Sequence, residues 1–133
     1  MMKIERVCII DDDPIFVFGV QRFMKFVQLG NKFDHFVNGK EAINGIEKMR
    51  ANKEKLPDLI MVDLNMPVMD GWQFLDAFND LPLETQPLVF IVSSSIDPID
   101  LKKVKNYPIV SEFVFKPITV QKLKELVSIY QKS

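Results

Sequence analysis

The sequence contains one cysteine, Cys8, which excludes an internal disulfide and points to a reducing compartment. Cys8 lies inside an apolar run, so we interpret it as a small core residue. No apolar stretch is long enough to span a membrane, and the N-terminal segment, which Glu5 interrupts, is unlike a signal peptide. These absences predict a cytoplasmic protein with no membrane segment.

The sequence also lacks an excess of charge of one sign. Lysine and arginine number 17 against 18 for aspartate and glutamate, which gives a formal net charge of -1. A protein that coats nucleic acid presents a strongly basic surface. We therefore expect no nucleic-acid partner, and any partner must be recognised by a local surface.

Short, continuous apolar runs recur along the chain, as is typical of strands covered on both faces of a parallel sheet. The clearest runs are residues 7–10, 59–62, 88–92 and 113–115, and a weaker run at 32–37 fits an outer strand. Segments with helical spacing lie between and after these runs. They predict helices over residues 15–29, 40–50, 72–78, 98–106 and 120–130.

Strands that alternate with helices indicate βα units joined by right-handed crossovers. The expected fold is therefore α/β, with five parallel strands and five helices. The sequence shows no repeat, low-complexity tract or linker, and 133 residues fit one ordinary domain. We expect residues 1–133 to form a single domain, without an output domain.

The first predicted helix is rich in phenylalanine, with Phe16, Phe18, Phe23 and Phe26. Phe16 and Phe23 share helical spacing with valines, which favours a broad stripe of side chains facing the core. The alternative interpretation is an exposed contact surface.

Polar side chains follow the apolar runs at the edge where the carboxyl ends of parallel strands meet. The residues at this edge are Asp11 and Asp12 after the first strand, Asp63 after the third, Ser93 and Ser94 after the fourth, and Lys116 and Pro117 after the fifth. Carboxylates suit Mg²⁺, and an ammonium group can share the charge of a phosphoryl group. The set lacks the histidine and cysteine ligands that zinc prefers. The edge therefore predicts a magnesium site beside a phosphoryl group.

Three other polar residues are expected to cap helices. Asp13 and Asp97 each precede a proline, and proline is favoured at the first position of a helix. Thr119 is the predicted cap of the last helix. We interpret His35, the single histidine, as a structural residue beside the outer strand and away from the carboxyl edge.

Four motifs together resemble the receiver domain of two-component response regulators. They are IIDDDP, MVDLNMPVMDG, IVSSS and FKP, in that order and at the ends of the expected strands. The resemblance spans nearly the whole chain and implies a flavodoxin-like, doubly wound sheet with strand order 2-1-3-4-5. It also implies a stand-alone, single-domain response regulator, which acts as a binding module and is not an enzyme.

The resemblance also implies a role for each residue of the edge. Asp63 is the implied phosphoacceptor. The implied donor of the phosphoryl group is a histidine kinase or a histidine phosphotransfer protein. The implied Mg²⁺ ligands are Asp11, Asp12, Asp63 and the backbone carbonyl of Asn65. Ser93 is the implied hydroxyl that moves toward the phosphoryl group, and Lys116 is the implied cation that pairs with it. The Lys116–Pro117 peptide bond is implied to be cis.

The output of such a domain is implied to leave through the face of the fourth helix, fifth strand and fifth helix. Phe113 occupies the aromatic switch position and, without a hydroxyl, can act only by packing. Lysines on this face, namely Lys102, Lys103, Lys105, Lys122 and Lys124, suit an acidic surface of a downstream protein, although lysine-rich helix faces are commonly just solvated. Asn65 and Ser95 occupy the positions that tune loss of the phosphoryl group.

Three rival interpretations remain open. A flavodoxin-like protein could bind a flavin nucleotide at the same edge, but its phosphate loop would be rich in hydroxyls and glycine, where this chain has three aspartates. A hydrolase could use Asp63 as a nucleophile, but 133 residues leave no room for a substrate-enclosing cap. A scaffold receiver would work without phosphorylation.

Overall fold

A computed structural model of the chain describes residues 3–94 and 97–131. Over these residues, five parallel strands form one sheet in the order β2-β1-β3-β4-β5, which confirms the predicted fold. The strands are β1 (Arg6–Ile10), β2 (Lys32–Phe36), β3 (Leu59–Val62), β4 (Leu88–Ser93) and β5 (Val110–Phe115). The helices are α1 (Pro14–Phe26), α2 (Gly39–Ala51), α3 (Gly71–Asn79), α4 (Pro98–Lys103), which continues into a 3₁₀ turn (Val104–Asn106), and α5 (Val120–Tyr130). None of the helices described is both long enough and apolar enough to cross a membrane.

Each face of the sheet carries its own hydrophobic core, because successive side chains of a strand point to opposite faces. On one face, Val20 of α1 and Leu126 of α5 belong to the same buried cluster as Ile9 of β1. On the other face, Phe74 of α3 packs in a cluster with Cys8, which is fully buried as predicted. Covering both faces makes the inner strands apolar along their length, which is why their runs are continuous in the sequence.

Two element boundaries lie three residues from the predicted ones, whereas the others agree within one residue when the 3₁₀ turn is counted with α4. Helix α1 ends at Phe26 instead of residue 29, because Gln28 adopts a positive φ of 61° and a left-handed residue terminates a helix. Strand β5 begins at Val110 instead of residue 113. The polar residues Ser111 and Glu112 continue this strand, so the apolar run alone understated its length.

The orientation of α1 contradicts the predicted aromatic core stripe. Its buried residues are Val17, Val20 and Met24. Phe18, Phe23 and Phe26 are 54%, 42% and 73% exposed, so the core-facing interpretation is wrong for these three. The valines and the methionine recur at i, i+3 and i+7, which is an equally good helical stripe that the sequence did not rank above the aromatic one. Phe16 is half-buried against the core.

The predicted helix caps are confirmed. The side chain of Asp13 accepts hydrogen bonds from the N–H groups of Ile15 (3.0 Å) and Phe16 (3.4 Å), Asp97 accepts from Ile99 (2.9 Å), and Thr119 accepts from Lys122 (3.0 Å). Helix α3 begins with a capping box between Asp70 and Gln73, which the sequence analysis missed although its spacing is a known signature. Side chains therefore satisfy backbone N–H groups at the starts of all four of these helices.

Candidate functional site

Three aspartates meet at the carboxyl edge of the sheet. Asp11 directly follows β1, and Asp63 directly follows the neighbouring strand β3. The backbone fixes both, because the N–H of Asp11 donates to the carbonyl of Phe36 at 3.0 Å and that of Asp63 to Ile10 at 2.9 Å. Within the described part of the chain, Asp11, Asp12 and Asp63 can place one carboxylate oxygen each within 4.8 Å of the others. Asp11 and Asp63 are buried, whereas Asp12 faces solvent.

The ammonium group of Lys116 bridges the two buried carboxylates. Its Nζ lies 2.7 Å from Asp11 Oδ2 and 3.4 Å from Asp63 Oδ2. The backbone N–H of Lys116 donates to the carbonyl of Ser93 at 2.9 Å, which ties the lysine to the end of β4. The peptide bond between Lys116 and Pro117 is cis. The lysine thus supplies the positive charge that two neighbouring carboxylates need.

Burial and neighbouring charges shift the pKa values of Asp63 and Lys116. Burial raises the pKa of the Asp63 carboxyl above its usual value, the Asp11 carboxylate raises it further, and Lys116 only partly opposes the rise. Burial lowers the pKa of Lys116, but hydrogen bonding and charge from Asp11, followed by charge from Asp63, outweigh it and give a net rise. Both shifts have the same meaning, namely that the site favours additional positive charge.

His35 lies at this edge and not away from it, which corrects the prediction of its place. Strand β2 runs parallel to β1, with His35 in register with Ile9, so the end of β2 reaches the same edge. The His35 Nε2 lies 2.7 Å from the carbonyl oxygen of Asp11, to which it donates in the tautomer protonated at Nε2. The imidazole therefore supports the loop that carries Asp11 and Asp12.

The loop between β3 and α3 approaches Asp63 closely. The N–H of Gly71 donates to the carbonyl of Leu64 at 3.0 Å, and a Cβ at Gly71 would overlap the carbonyl oxygen of Asp63. Glycine is thus the residue that lets α3 begin here. Asn65 is exposed, and its N–H points toward Asp63 Oδ1 at 3.5 Å. The use of the Asn65 carbonyl as a metal ligand stays a prediction.

The residues predicted to form the switch lie on β4 and β5, the last two strands in the order of the sheet. Ser93 is the last residue of β4 and is fully buried. Phe113 of β5 is in register with Ile91 and packs, half-buried, against the second core. Ser94 is exposed, and Ser95, the second predicted tuning position, lies outside the described residues.

The donor set fits a hard cation. Asp11, Asp12 and Asp63 offer only carboxylate oxygens, which are the ligands that Mg²⁺ prefers. The exposed position of Asp12 leaves one side of the cluster open to water, and Mg²⁺ keeps several waters when it binds protein. The acidic pocket is therefore suited to Mg²⁺.

One neighbour of the site was missed by the sequence analysis. The ring of Phe16 lies under the ammonium group of Lys116, with 4.3 Å between Nζ and the ring centroid. The available signal was an aromatic residue in the first turn of the helix that follows the aspartates. It was assigned to the core because its spacing also fits a core stripe.

Comparisons with known sequences agree with this geometry. The family profile described as response regulator receiver domain matches residues 7–128. The chain is 29% identical over 127 residues to the "Probable C4-dicarboxylate response regulator DctR" of Halalkalibacterium halodurans, covering 96% of this chain and 51% of that protein. It is 30% identical to the two-component response regulator ARR10 of Arabidopsis thaliana, covering 91% of this chain and 20% of that protein. The chain thus spans about half the length, or less, of these curated relatives.

Solved structures give the same picture. A two-component response regulator from Cytophaga hutchinsonii is 31% identical, with a TM-score of 0.84 and coverage of 96% of this chain and 97% of that chain. The phosphorylated cyanobacterial phytochrome response regulator RcpA is 21% identical, with a TM-score of 0.81 and coverage of 95% and 93%. At 21% identity, the similarity to RcpA shows only that the two proteins share a fold.

The different positions of Asp12 and Asp13 generate a prediction about metal binding. Asp12→Ala should weaken Mg²⁺ binding by about tenfold or more, because it removes one of three charged ligands. Asp13→Ala should leave Mg²⁺ affinity nearly unchanged and lower the free energy of unfolding by about 1 kcal/mol, because it removes a helix cap. Calorimetric titration with Mg²⁺ and urea unfolding measure the two effects. Equal losses of Mg²⁺ affinity in both variants would contradict this division of roles.

Proposed function

The chain belongs to the response regulator receiver domain family, and from this we propose that Asp63 accepts a phosphoryl group from a histidine kinase or a histidine phosphotransfer protein. The phosphorylation state then controls binding to a downstream protein, so the chain acts as a binding module and not as an enzyme. One observation carries the proposal: Asp63 is buried beside a second carboxylate and a lysine ammonium at the carboxyl edge of a parallel sheet.

The transfer step is a displacement at phosphorus. A carboxylate oxygen of Asp63 attacks the phosphorus of phosphohistidine, the new O–P bond forms as the P–N bond breaks, and the imidazole nitrogen leaves with the electron pair. The product is an aspartyl phosphate with up to about two negative charges. Lys116 then donates to a phosphoryl oxygen, and its contact with Asp11 keeps the ammonium in place meanwhile.

The acidic pocket would hold Mg²⁺ through Asp11, Asp12, Asp63 and the carbonyl of Asn65. When bound, Mg²⁺ supplies positive charge next to the phosphoryl oxygens. The carboxylate of Asp11 has two further tasks, because its Oδ1 accepts a hydrogen bond from the N–H of Asp13 at 2.9 Å and its Oδ2 contacts Lys116. Asp11 therefore orders the loop and the lysine as well as the cation.

The first prediction of this proposal concerns the phosphoacceptor. Wild-type protein incubated with Mg²⁺ and a small acyl phosphate should gain one phosphoryl group by mass spectrometry, and Asp63→Asn should gain none, because the amide is not a nucleophile for phosphorus. Asp13→Asn is a matched control that keeps a capping residue and should be labelled normally. Full labelling of Asp63→Asn at another residue would overturn the assignment.

The labelling experiment and the colour of the purified protein separate the rival functions. A wild-type protein that takes no label from any donor, although folded and able to bind Mg²⁺, would favour the phosphorylation-independent scaffold. A yellow purified protein would favour the flavin alternative, against which the family match and the three aspartates both stand. The stand-alone organisation and the cytoplasmic location remain predictions.

We further propose that α4 carries the signal. Within residues 98–103 no side chain is buried, and Ile99 is 72% exposed. Trp72 of α3 contacts this helix, because its Nε1–H donates to Asp100 at 3.3 Å and the ammonium of Lys103 lies 4.9 Å from its ring centroid. A helix held by such peripheral contacts can shift at modest cost.

Phe113 would couple the site to α4. Movement of the Ser93 hydroxyl toward the phosphoryl group would free space beneath α4, into which the half-buried ring of Phe113 can turn. The ring of Phe115, two residues further along β5, lies 5.3 Å away. The local change of charge thereby becomes a change of packing on the face of α4, β5 and α5.

The downstream partner is proposed to present acidic groups to this face. Lys102, Lys105 and Lys124 are exposed there. Lys103 packs on Trp72, and Lys122 pairs with Glu125 at 3.6 Å, so these two are partly engaged within the chain. Lys102, Lys105 and Lys124 are therefore the main source of positive charge for a partner.

The second prediction uses Trp72, the single tryptophan, as a reporter of α4. Binding of the phosphoryl mimic beryllofluoride should change the fluorescence of Trp72 and the amide shifts of α4. Phe113→Leu should lose at least half of this change and still bind beryllofluoride, because the shorter side chain couples less movement. Phe26→Leu, which changes a 73% exposed aromatic residue of α1 on the other face of the sheet, is the control and should respond like wild type. Shift changes confined to the surroundings of Asp63 in wild type would rule out this switch.

A further inference from the structure

We propose that Phe16 is a positioning residue, which holds the ammonium group of Lys116 in the orientation that phosphoryl transfer to Asp63 requires. The inference rests on the proposed function, since it concerns the same lysine. Its basis is the contact between the Lys116 ammonium and the Phe16 ring face, with 4.3 Å from Nζ to the centroid. That distance lies well inside the range of a cation–π interaction.

Lysine needs such support because it is a point charge on a flexible stem with three rotatable N–H donors. Asp11 and Asp63 engage the ammonium at 2.7 Å and 3.4 Å. The ring of Phe16 occupies neighbouring space that water would otherwise fill, and it attracts the charge without accepting a strong hydrogen bond. The N–H donors of Lys116 are thereby kept for the oxygens of Asp11, of Asp63 and of a phosphoryl group on Asp63.

Phe16 is itself held in place. Its backbone N–H lies 3.4 Å from Asp13 Oδ1 in the cap of α1, and its ring packs, half-buried, against the core beneath α1. The aspartate that caps the helix therefore also fixes the residue that contacts the lysine. In this way each of the neighbouring residues Asp11 and Asp13 acts on Lys116, one directly and the other through Phe16.

A purely structural role is the alternative, in which the ring only fills space beside the core. Leucine fills similar space without an aromatic face, whereas tyrosine keeps the face. Phe16→Leu and Phe16→Tyr therefore separate the two roles. Phe18→Leu is the matched control, because Phe18 lies on the same helix, is 54% exposed, and contacts the guanidinium of Arg22 at 5.5 Å from its centroid instead of Lys116.

The first readout is spectroscopic and needs no phosphoryl donor. A proton held over an aromatic face is shifted upfield by the ring current, so the ε-methylene protons of Lys116 should resonate upfield of ordinary lysines. The shift should persist in Phe16→Tyr and Phe18→Leu and should vanish in Phe16→Leu. An unshifted Lys116 in wild type would overturn the proposal, whatever the protein does with phosphate.

The second readout is the beryllofluoride concentration at half-saturation in the presence of Mg²⁺. Phe16→Leu should require about three- to tenfold more beryllofluoride, as expected for loss of a partly desolvated cation–π contact. Phe16→Tyr should stay within about twofold of wild type, and Phe18→Leu should match it. Equal affinity of Phe16→Leu and wild type, with both folded by urea unfolding, would overturn the inference and leave the proposed function intact. If wild type binds no beryllofluoride, the proposed function fails, and the Lys116 shift alone decides whether Phe16 positions the lysine.

Discussion

The repulsion between the buried carboxylates of Asp11 and Asp63, offset by the ammonium of Lys116, is the interaction on which the rest of this structure depends. Two like charges about 4 Å apart repel by about 4 kcal/mol at the effective dielectric of a protein surface. A domain of this size has only about 5–15 kcal/mol of stability in total. The contacts of Lys116 at 2.7 Å and 3.4 Å are therefore a condition for keeping both carboxylates ionised in the fold.

This balance gives the pocket a standing demand for positive charge. Burial raises the pKa of Asp63, so the pocket tends to take up a proton or a cation. Phosphorylation would alter this balance of charge again. Lys116 is placed to respond, because its backbone N–H donates a hydrogen bond to the carbonyl of Ser93 at the end of β4. Helix α4, which has no buried side chain, connects these two strands, β4 and β5, along the chain, so a change of charge at this edge has a short route to the helix.

Much of this arrangement could be predicted from the sequence, because parallel strands bring their carboxyl ends to one edge. Continuous apolar runs placed the strands, and the residues after them, Asp11, Asp63 and Lys116, therefore had to meet. The caps at Asp13 and Asp97 were equally accessible, since a short-range hydrogen bond needs only local spacing. The strands and the caps depend on the pattern of apolar residues along the chain and on residues close together in the sequence.

The remainder depends on tertiary packing, which local patterns do not determine. Two helical stripes of α1 competed for the core, and only docking on the sheet decided that Val17, Val20 and Met24 would be buried. The contact of Phe16 with Lys116 follows from the orientation of α1 on the sheet. His35 was misplaced because a weak outer strand gave no clear end from which to judge its distance from the edge.

The most direct test of the central claim is the free energy of unfolding of wild type and Asp63→Asn as a function of pH, in chelator and in saturating Mg²⁺. The pKa of Asp63 is raised in the folded protein, so the folded state binds this proton more tightly and the ionised carboxylate costs stability above the raised pKa. In chelator near neutral pH, Asp63→Asn should thus be the more stable protein. The difference should shrink as the pH falls through the raised pKa toward the usual value, and Mg²⁺ should reverse it at neutral pH. A wild type that is as stable as Asp63→Asn in chelator at every pH would contradict the account.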